Sequence, residues 1–363
     1  MHISNISGHR SASLAIEKAI KIQSPQSQIL TLNAFKYMHP HAEKIVNFFY
    51  LFVIKKLPFI WSYLYDNSFW IKKTDRIKGF IHNFDFSKLD SLINDFHPDV
   101  VVSTQAFPCG IVADFKRIRR LDLSLIAVLT DFVPHSYWIY DNINCYVTPS
   151  EEVKQRLIQK GINEDRIKTL GIPFDPKFNK ILSKAEIRKK LNLKEGVFTI
   201  LIMGGGQGLG PIKNIVKIID NLKIDLQEII VCGSNKRLYY WLKRKSKSYK
   251  KSILLLGYVQ NIEELMSAAD LIITKPGGVT CAEALSKGLP MIITCPIPGQ
   301  EANNTSYLIS KRAAIKVSYP EELEYILNDL HNHPEKLRKL SKKALEISKP
   351  NAAADIAQLI LDL

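Results

Sequence analysis

The stretch from Leu271 to Asn304 constrains the fold more than any other: L-I-I-T-K-P-G-G-V-T-C-A-E-A-L-S-K-G-L-P-M-I-I-T-C-P-I-P-G-Q-E-A-N-N. Leu271 to Thr274 is a short apolar run with the β-branched content of a buried strand. The turn Lys275-Pro276-Gly277-Gly278 follows, and then a helix carrying Thr280 and Glu283. Two glycines let a backbone come close to a ligand. Free N–H groups at a helix start, aided by the helix dipole, favour an anion such as phosphate. Gly288-Leu289-Pro290 leads to a second apolar strand, Met291 to Thr294, and then to a polar loop, Gly299-Gln300-Glu301 with Asn303 and Asn304.

The same alternation runs through the chain. Strands are expected at His2–Ile6, Ile29–Asn33, Asp99–Thr104, Leu125–Thr130, Asn144–Thr148 and from Ile167, with helices over about 10–22, 110–120 and 151–160 between them. Ser150 stands where a helix cap belongs and Gly161 where one stops. After a linker, Phe174–Lys184, the pattern restarts with Thr199–Met203 and the turn Gly204-Gly205-Gly206-Gln207-Gly208-Leu209-Gly210-Pro211. That turn is no Walker loop, since no Gly-Lys-Ser/Thr ends it. Strands at Glu228–Val231 and Leu254–Val259 follow. The fold class is α/β with parallel sheets, and 363 residues exceed one ordinary core. We expect two domains, 1–173 and 185–348, with a final helix of about 351–363 packing back on the first.

Fifty basic against 35 acidic side chains give a net charge of +15, compatible with nucleic acid, anionic lipid or a nucleotide diphosphate. The five cysteines, Cys109, Cys145, Cys232, Cys281 and Cys295, lack C-x-x-C spacing and read as reduced core thiols of a cytosolic protein. No uninterrupted apolar run reaches membrane-spanning length. Two segments stand out. Ile45–Lys73 is rich in aromatics, Trp61 and Trp70 among them, and is bounded by lysines, a composition suited to a membrane–water interface or to a pair of helices packed on their own domain. Lys236–Lys251 carries eight basic residues and no acid among Tyr239, Tyr240, Trp241 and Tyr249. It reads as a lipid- or RNA-facing helix, or as a solvated helix with a buried aromatic stripe.

At K-P-G-G-x-T-x-x-E-A-L and P-x-P-G-Q-E-x-x-N the chain resembles glycosyltransferase family 28. The likeness is to its monogalactosyldiacylglycerol synthases and processive diacylglycerol β-glucosyltransferases, which make glycolipids from UDP-sugars. The enzyme adding N-acetylglucosamine to peptidoglycan lipid I is a more distant relative. The resemblance covers nearly the whole chain and implies the GT-B fold, two Rossmann-like domains facing a cleft. It implies that Gly277, Gly278 and Thr280 hold the diphosphate and Glu283 the ribose hydroxyls. By the same resemblance Gly206 belongs to the glycine-rich donor turn. Asn235, Gly257, Tyr258 and Val259 hold the uracil, Gly233 is a further donor-binding residue, and Gln300, Glu301 and Asn304 meet the donor sugar. No D-x-D motif is present, so Lys275 and the helix dipole are expected to do the work of a cation, with no obligatory metal or cofactor.

The family's first turn ends in Gly-His, retained here as Gly8-His9, although Ile6 and Ser7 stand where glycines are common. His9 is the first choice for the base that takes the acceptor proton, because its ordinary pKa lies near neutrality. Donation from His9 to the leaving phosphate is the alternative role. Asp131, just past a strand end, is the second choice for the base, and His135 either orients Asp131 or meets the acceptor. The expected function is inverting transfer of galactose or glucose from a UDP-sugar to diacylglycerol. It would take place at the inner face of a membrane, by a peripheral cytoplasmic enzyme on an anionic surface. The two sugars differ by one hydroxyl's configuration and stay open. The other readings are an N-acetylglucosaminyltransferase acting on a polyprenyl-linked peptidoglycan precursor, a sugar-nucleotide epimerase, and a basic nucleic-acid-binding protein. A nucleic-acid partner is not expected.

Overall fold

The computed structural model of the chain describes residues 1–2, 7–38 and 86–363. Ile45–Lys73 with Trp61 and Trp70, and residues 3–6 of the expected first strand, lie outside the described residues. Contacts group the chain into two units: Met1–Pro176 with Ile297–Gln300 and Asn351–Leu363, and Lys177–Pro296 with Glu301–Pro350.

The first unit is built on a wholly parallel sheet of β1 (Val100–Ser103), β2 (Ser124–Val128), β3 (Cys145–Val147) and β4 (Ile167–Lys168), paired in that order. Its helices are α1 (Gly8–Gln23), α2 (Ala34–Met38), α3 (Ser87–Phe96), α4 (Ala106–Arg119) and α5 (Glu151–Gln159). Side chains alternate across the strands. Leu125, Ala127 and Tyr146 therefore pack with Cys109, Val112 and Ala113 of α4 and with Val153 and Leu157 of α5. Ile126, Val128, Cys145 and Val147 meet Ala15, Ile16, Ala19 and Ile20 of α1 on the other face. A helix from much later in the chain, Ala352–Leu361, joins that layer through Ala353, Ile356, Ala357 and Ile360. Burial on both faces explains why these strands read as continuous apolar runs.

Three local expectations for this unit change. Ile29–Asn33 forms no ladder among the described residues, only an isolated bridge from Asn33 to His2. Helix α4 starts at Ala106, before Pro108, because a proline in the first turn gives up an N–H that has no intrahelical partner there. Ser150 occupies the cap position of α5 in extended conformation, yet its hydroxyl makes no capping bond.

The second unit holds six parallel strands: β5 (Phe198–Met203), β6 (Leu226–Val231), β7 (Ser252–Leu256), β8 (Leu271–Thr274), β9 (Met291–Thr294) and β10 (Ala314–Val317). Their order, β10-β9-β8-β5-β6-β7, is the doubly wound order of dinucleotide-binding sheets read from the other edge. The helices are α6 (Lys184–Lys190), α7 (Ile212–Asp220), α8 (Lys236–Lys245), α9 (Ile262–Ala268), α10 (Gly278–Ser286), α11 (Gln300–Ser310), α12 (Pro320–Asn332) and α13 (Pro334–Ile347). Ile200, Ile202, Ile230, Ile273 and Ile292 form the core with Ile215 and Ile219 of α7 and Leu323 and Leu327 of α12.

The stretch Gln300–Asn304, expected as a polar loop, is the first part of an eleven-residue helix. Its polar residues hid it: Glu301, Asn304 and Thr305 are on the buried side, so the usual apolar stripe is missing. Strand β10 and helix α12 also escaped the sequence reading. Four cysteines are buried, whereas Cys295 is exposed and does not belong to the core.

Candidate donor and catalytic site

In the second unit the strand order reverses between β5 and β8. Open parallel sheets bind ligands outside the carboxyl ends of their strands at such a switch point. The two glycine turns, Gly204–Gly210 after β5 and Lys275–Gly278 after β8, emerge at this place. They adjoin one another: a Cβ added to Gly205 would lie 3.3 Å from Lys275 Cε. The turn after β6 locks onto the first. Ser234 N–H donates to the Gly206 carbonyl at 2.9 Å, and Asn235 Nδ2 donates to the Gly208 carbonyl at 3.1 Å. Asn235 also caps α8, its Oδ1 accepting from Leu238 N–H. Gly208 has φ +58°, and a Cβ there would stand 1.9 Å from the Cys232 carbonyl oxygen. Gly233 has φ +55°, and its Cβ would meet Gly206 O at 2.4 Å. These glycines are required by the packing of one turn on another.

Gly277 differs. Its φ of −68° and ψ of 132° suit any residue, and a Cβ would meet nothing within 4 Å. It caps α10 without a side-chain bond, so the N–H groups of the first turn are directed out of the helix end. Gly278 is buried, whereas Thr280 and Glu283, one turn apart, are part-exposed. Lys275 Nζ pairs with the Glu301 carboxylate, and Asn304, wholly buried, donates from Nδ2 to the Pro276 carbonyl at 3.0 Å. Glu301 and Asn304 therefore brace the turn from α11, and Lys275 already has an anionic partner. Gly257 after β7 also faces open space, and Tyr258 is 60% exposed. Val259 is part-buried beside them.

In the first unit His9 sits in the first turn of α1, which Ser7 caps by accepting from Arg10 N–H. The His9 Nδ1 lies 2.9 Å from the Thr104 carbonyl oxygen and 2.8 Å from Thr130 Oγ1. A carbonyl only accepts, so Nδ1 carries the hydrogen and the lone pair of neutral His9 is on Nε2. Thr104 Oγ1 donates to the His9 carbonyl at 2.8 Å and meets Ser13 Oγ at 2.8 Å, fixing the ring's backbone. Burial lowers the His9 pKa, while the Asp131 charge and the bond to Thr104 pull it back up. Asp131 is itself buried and accepts from the Gln300 side-chain amide, which groups with this unit. Burial drives the His135 pKa down to about 4, with His9 and Lys160 adding to the effect, and its ring stands edge-on to Tyr137 at 5.5 Å. Thr104 and Thr130 escaped the sequence reading. Their signal was position, each just beyond the carboxyl end of a strand, β1 or β2. Among the described residues no group of three or more His, Cys, Asp or Glu is placed to hold a metal ion.

Two Rossmann-like units, each with a wholly parallel sheet, give the chain the GT-B fold. MurG of Acinetobacter baumannii shares it with a TM-score of 0.60 at 17% identity, over 78% of each chain. Two family descriptions divide the sequence: monogalactosyldiacylglycerol (MGDG) synthase over residues 9–174, and glycosyltransferase family 28 C-terminal domain over residues 199–360. The processive diacylglycerol beta-glucosyltransferase of Bacillus subtilis is 32% identical over 276 residues, 76% of this chain and 71% of its own. Monogalactosyldiacylglycerol synthase 3, chloroplastic, of Arabidopsis thaliana is 30% identical over 97% of this chain and 78% of its own. The protein belongs to glycosyltransferase family 28, within its glycolipid-forming branch.

Proposed function

We propose that the protein transfers a hexose, galactose or glucose, from a UDP-sugar to diacylglycerol with inversion at the anomeric carbon. The observation that carries this reading is the open helix start at Gly277, set beside the Gly204–Gly210 turn at the switch point of the second unit. The diphosphate is the leaving group. First-turn N–H groups of α10 stabilise its growing charge, and Thr280 and Glu283 on the same helix take the phosphate and ribose. Gly233, Asn235 and Gly257–Val259 take the base, and the start of α11, Gln300–Asn304, takes the sugar. The acceptor hydroxyl attacks the anomeric carbon as the bond to UDP breaks, and its proton passes to Nε2 of His9. The tautomer favours this role: neutral His9 can accept at Nε2 but has no hydrogen there to give a phosphate. Asp131 then acts by supporting the imidazolium charge, and His135 by lining the acceptor side.

The acceptor is a bilayer lipid, so the enzyme works as a peripheral protein at the inner face of a membrane, with Trp61 and Trp70 as contacts. No described helix is long and apolar enough to cross a membrane. The test offers radiolabelled UDP-glucose and UDP-galactose, separately, to diacylglycerol dispersions and resolves the lipids by chromatography. Labelled glycolipid is expected from one of the two sugars. In a parallel arm UDP-N-acetylglucosamine is offered with a polyprenyl-linked acceptor; label entering lipid only there, or sugar-nucleotide epimerisation with no labelled lipid, would overturn it.

A further inference from the structure

Helix α8 and the turn after it carry a dense run of cations with no acid among them. Lys236, Arg237, Lys243, Arg244, Lys245, Lys247 and Lys250 are all exposed. Among the described residues none of the seven pairs with a carboxylate. Some cations elsewhere do pair: Arg119 with Asp90, Lys190 with Glu264, Lys336 with Asp329 and Lys343 with Glu346, each at 2.6 Å. Asp220 accepts the backbone N–H groups of Lys250 and Lys251 at 2.6 and 3.1 Å, and Glu228 is buried.

The spacing places Lys236, Arg237, Tyr240, Lys243 and Arg244 along one side of α8, with Lys247 in the turn that follows. Tyr240, 60% exposed, lies at its centre. Trp241 is part-buried against the core, with Lys213 Nζ 4.4 Å and Lys245 Nζ 5.3 Å from its ring centroid. Single-stranded nucleic acid is held by successive aromatic faces open to stacking; here Trp241 is part-buried with lysines over its ring, and of the segment's four aromatics Tyr240 alone is exposed. A flat row of unpaired cations around an amphipathic phenol suits headgroup phosphates at a bilayer surface.

We propose that this face of the second unit docks on anionic phospholipid, giving the enzyme a bilayer contact separate from its acceptor site. The proposal rests on the reading of diacylglycerol as acceptor only in its choice of a membrane over other polyanions. Each cation near an anionic leaflet is worth about fivefold in partition, and salt weakens the attraction.

The full chain is sedimented with phosphatidylcholine vesicles, with or without phosphatidylglycerol. It is compared with a variant carrying Lys243→Glu, Arg244→Glu, Lys245→Glu and Lys247→Glu, and with the corresponding four-glutamine variant. Partition onto phosphatidylglycerol vesicles is expected to fall about tenfold or more in both variants, with partition onto phosphatidylcholine alone unchanged. Turnover on diacylglycerol in neutral detergent micelles should match the parent, which also certifies folding. Unchanged partition of either variant onto anionic vesicles overturns the proposal. So does a single-stranded RNA that binds the stripe and displaces the parent from those vesicles. A parent inactive on diacylglycerol micelles defeats the acceptor reading instead, while the sedimentation arms still decide the docking face.

Discussion

His9 is held below its ordinary pKa of 6.5, chiefly by burial. As a base it must be neutral, so kcat/KM should fall only as pH drops through a value below 6.5. Asp131 raises that pKa, so Asp131→Asn should move the acid limb to still lower pH, read from the pH–rate profile. His9→Ala should lower turnover by about 10²–10⁴-fold and leave UDP affinity by calorimetry near the parent's, because the donor turns belong to other elements. Full activity in that variant would remove His9 from the chemistry. Glu228 is a second titratable group with a consequence. It is wholly buried in β6, and neither carboxyl oxygen meets a hydrogen-bond partner among the described residues. Burial, with Asp220 adding and Lys251 opposing, raises its pKa to about 8. Tyr249 titrates higher partly in response. The unfolded chain releases this proton near 4.5 and the fold retains it up to about 8, so stability declines as pH rises across that window. At about 1.4 kcal/mol per pKa unit the loss reaches roughly 5 kcal/mol above pH 8. Glu228→Gln should therefore raise Tm in mildly alkaline buffer and leave it nearly unchanged below pH 4.5.

At the scale of elements, the glycines of the donor turns separate into two kinds, and substitution tells them apart. Gly277→Ala introduces a Cβ into open space at an ordinary φ, so folding and Tm should stay as they are while UDP affinity falls at least tenfold. Gly208→Ala forces a Cβ onto the Cys232 carbonyl at φ +58°, so it should lower Tm by several degrees. If Gly277→Ala binds UDP as tightly as the parent, no phosphate approaches that turn. The sequence displayed β5, β6, β8 and β9 because strands buried on both faces need unbroken aliphatic runs. It displayed the turns because Gly-Gly after such a run has few other uses. It concealed α11, whose buried side is Glu301, Asn304 and Thr305, since period-based reading looks for apolar stripes. It also concealed the bracing of Lys275 and Pro276 by that helix, because the partners are brought together only by the path from β8 through β9. The hydroxyls around His9 were hidden for the same reason: Thr104 and Thr130 follow different strands, and only parallel pairing of β1 with β2 places them side by side.

At the scale of the whole molecule, the helix Ala352–Leu361 makes the first unit discontinuous in sequence. Ile356 is fully buried against the α1 layer, so Ile356→Ala should cost about 2–5 kcal/mol. The loss should appear in calorimetry as an earlier transition of the first unit, with UDP affinity of the remaining folded unit retained. A single undisturbed transition would show that the helix contributes little. The arrangement also governs the order of events during biosynthesis. The ribosome makes residues 1–176 first, yet Ile16, Ile20, Ile126 and Val128 lack one of their covering helices until residues beyond 350 emerge. At about 5–20 residues per second the wait is on the order of ten seconds or more. Through that interval the nascent chain presents a greasy strip, a natural landing place for chaperones. A premature stop anywhere in the second unit leaves that strip uncovered for good, so truncated products should be cleared by proteolysis instead of accumulating as half-enzymes.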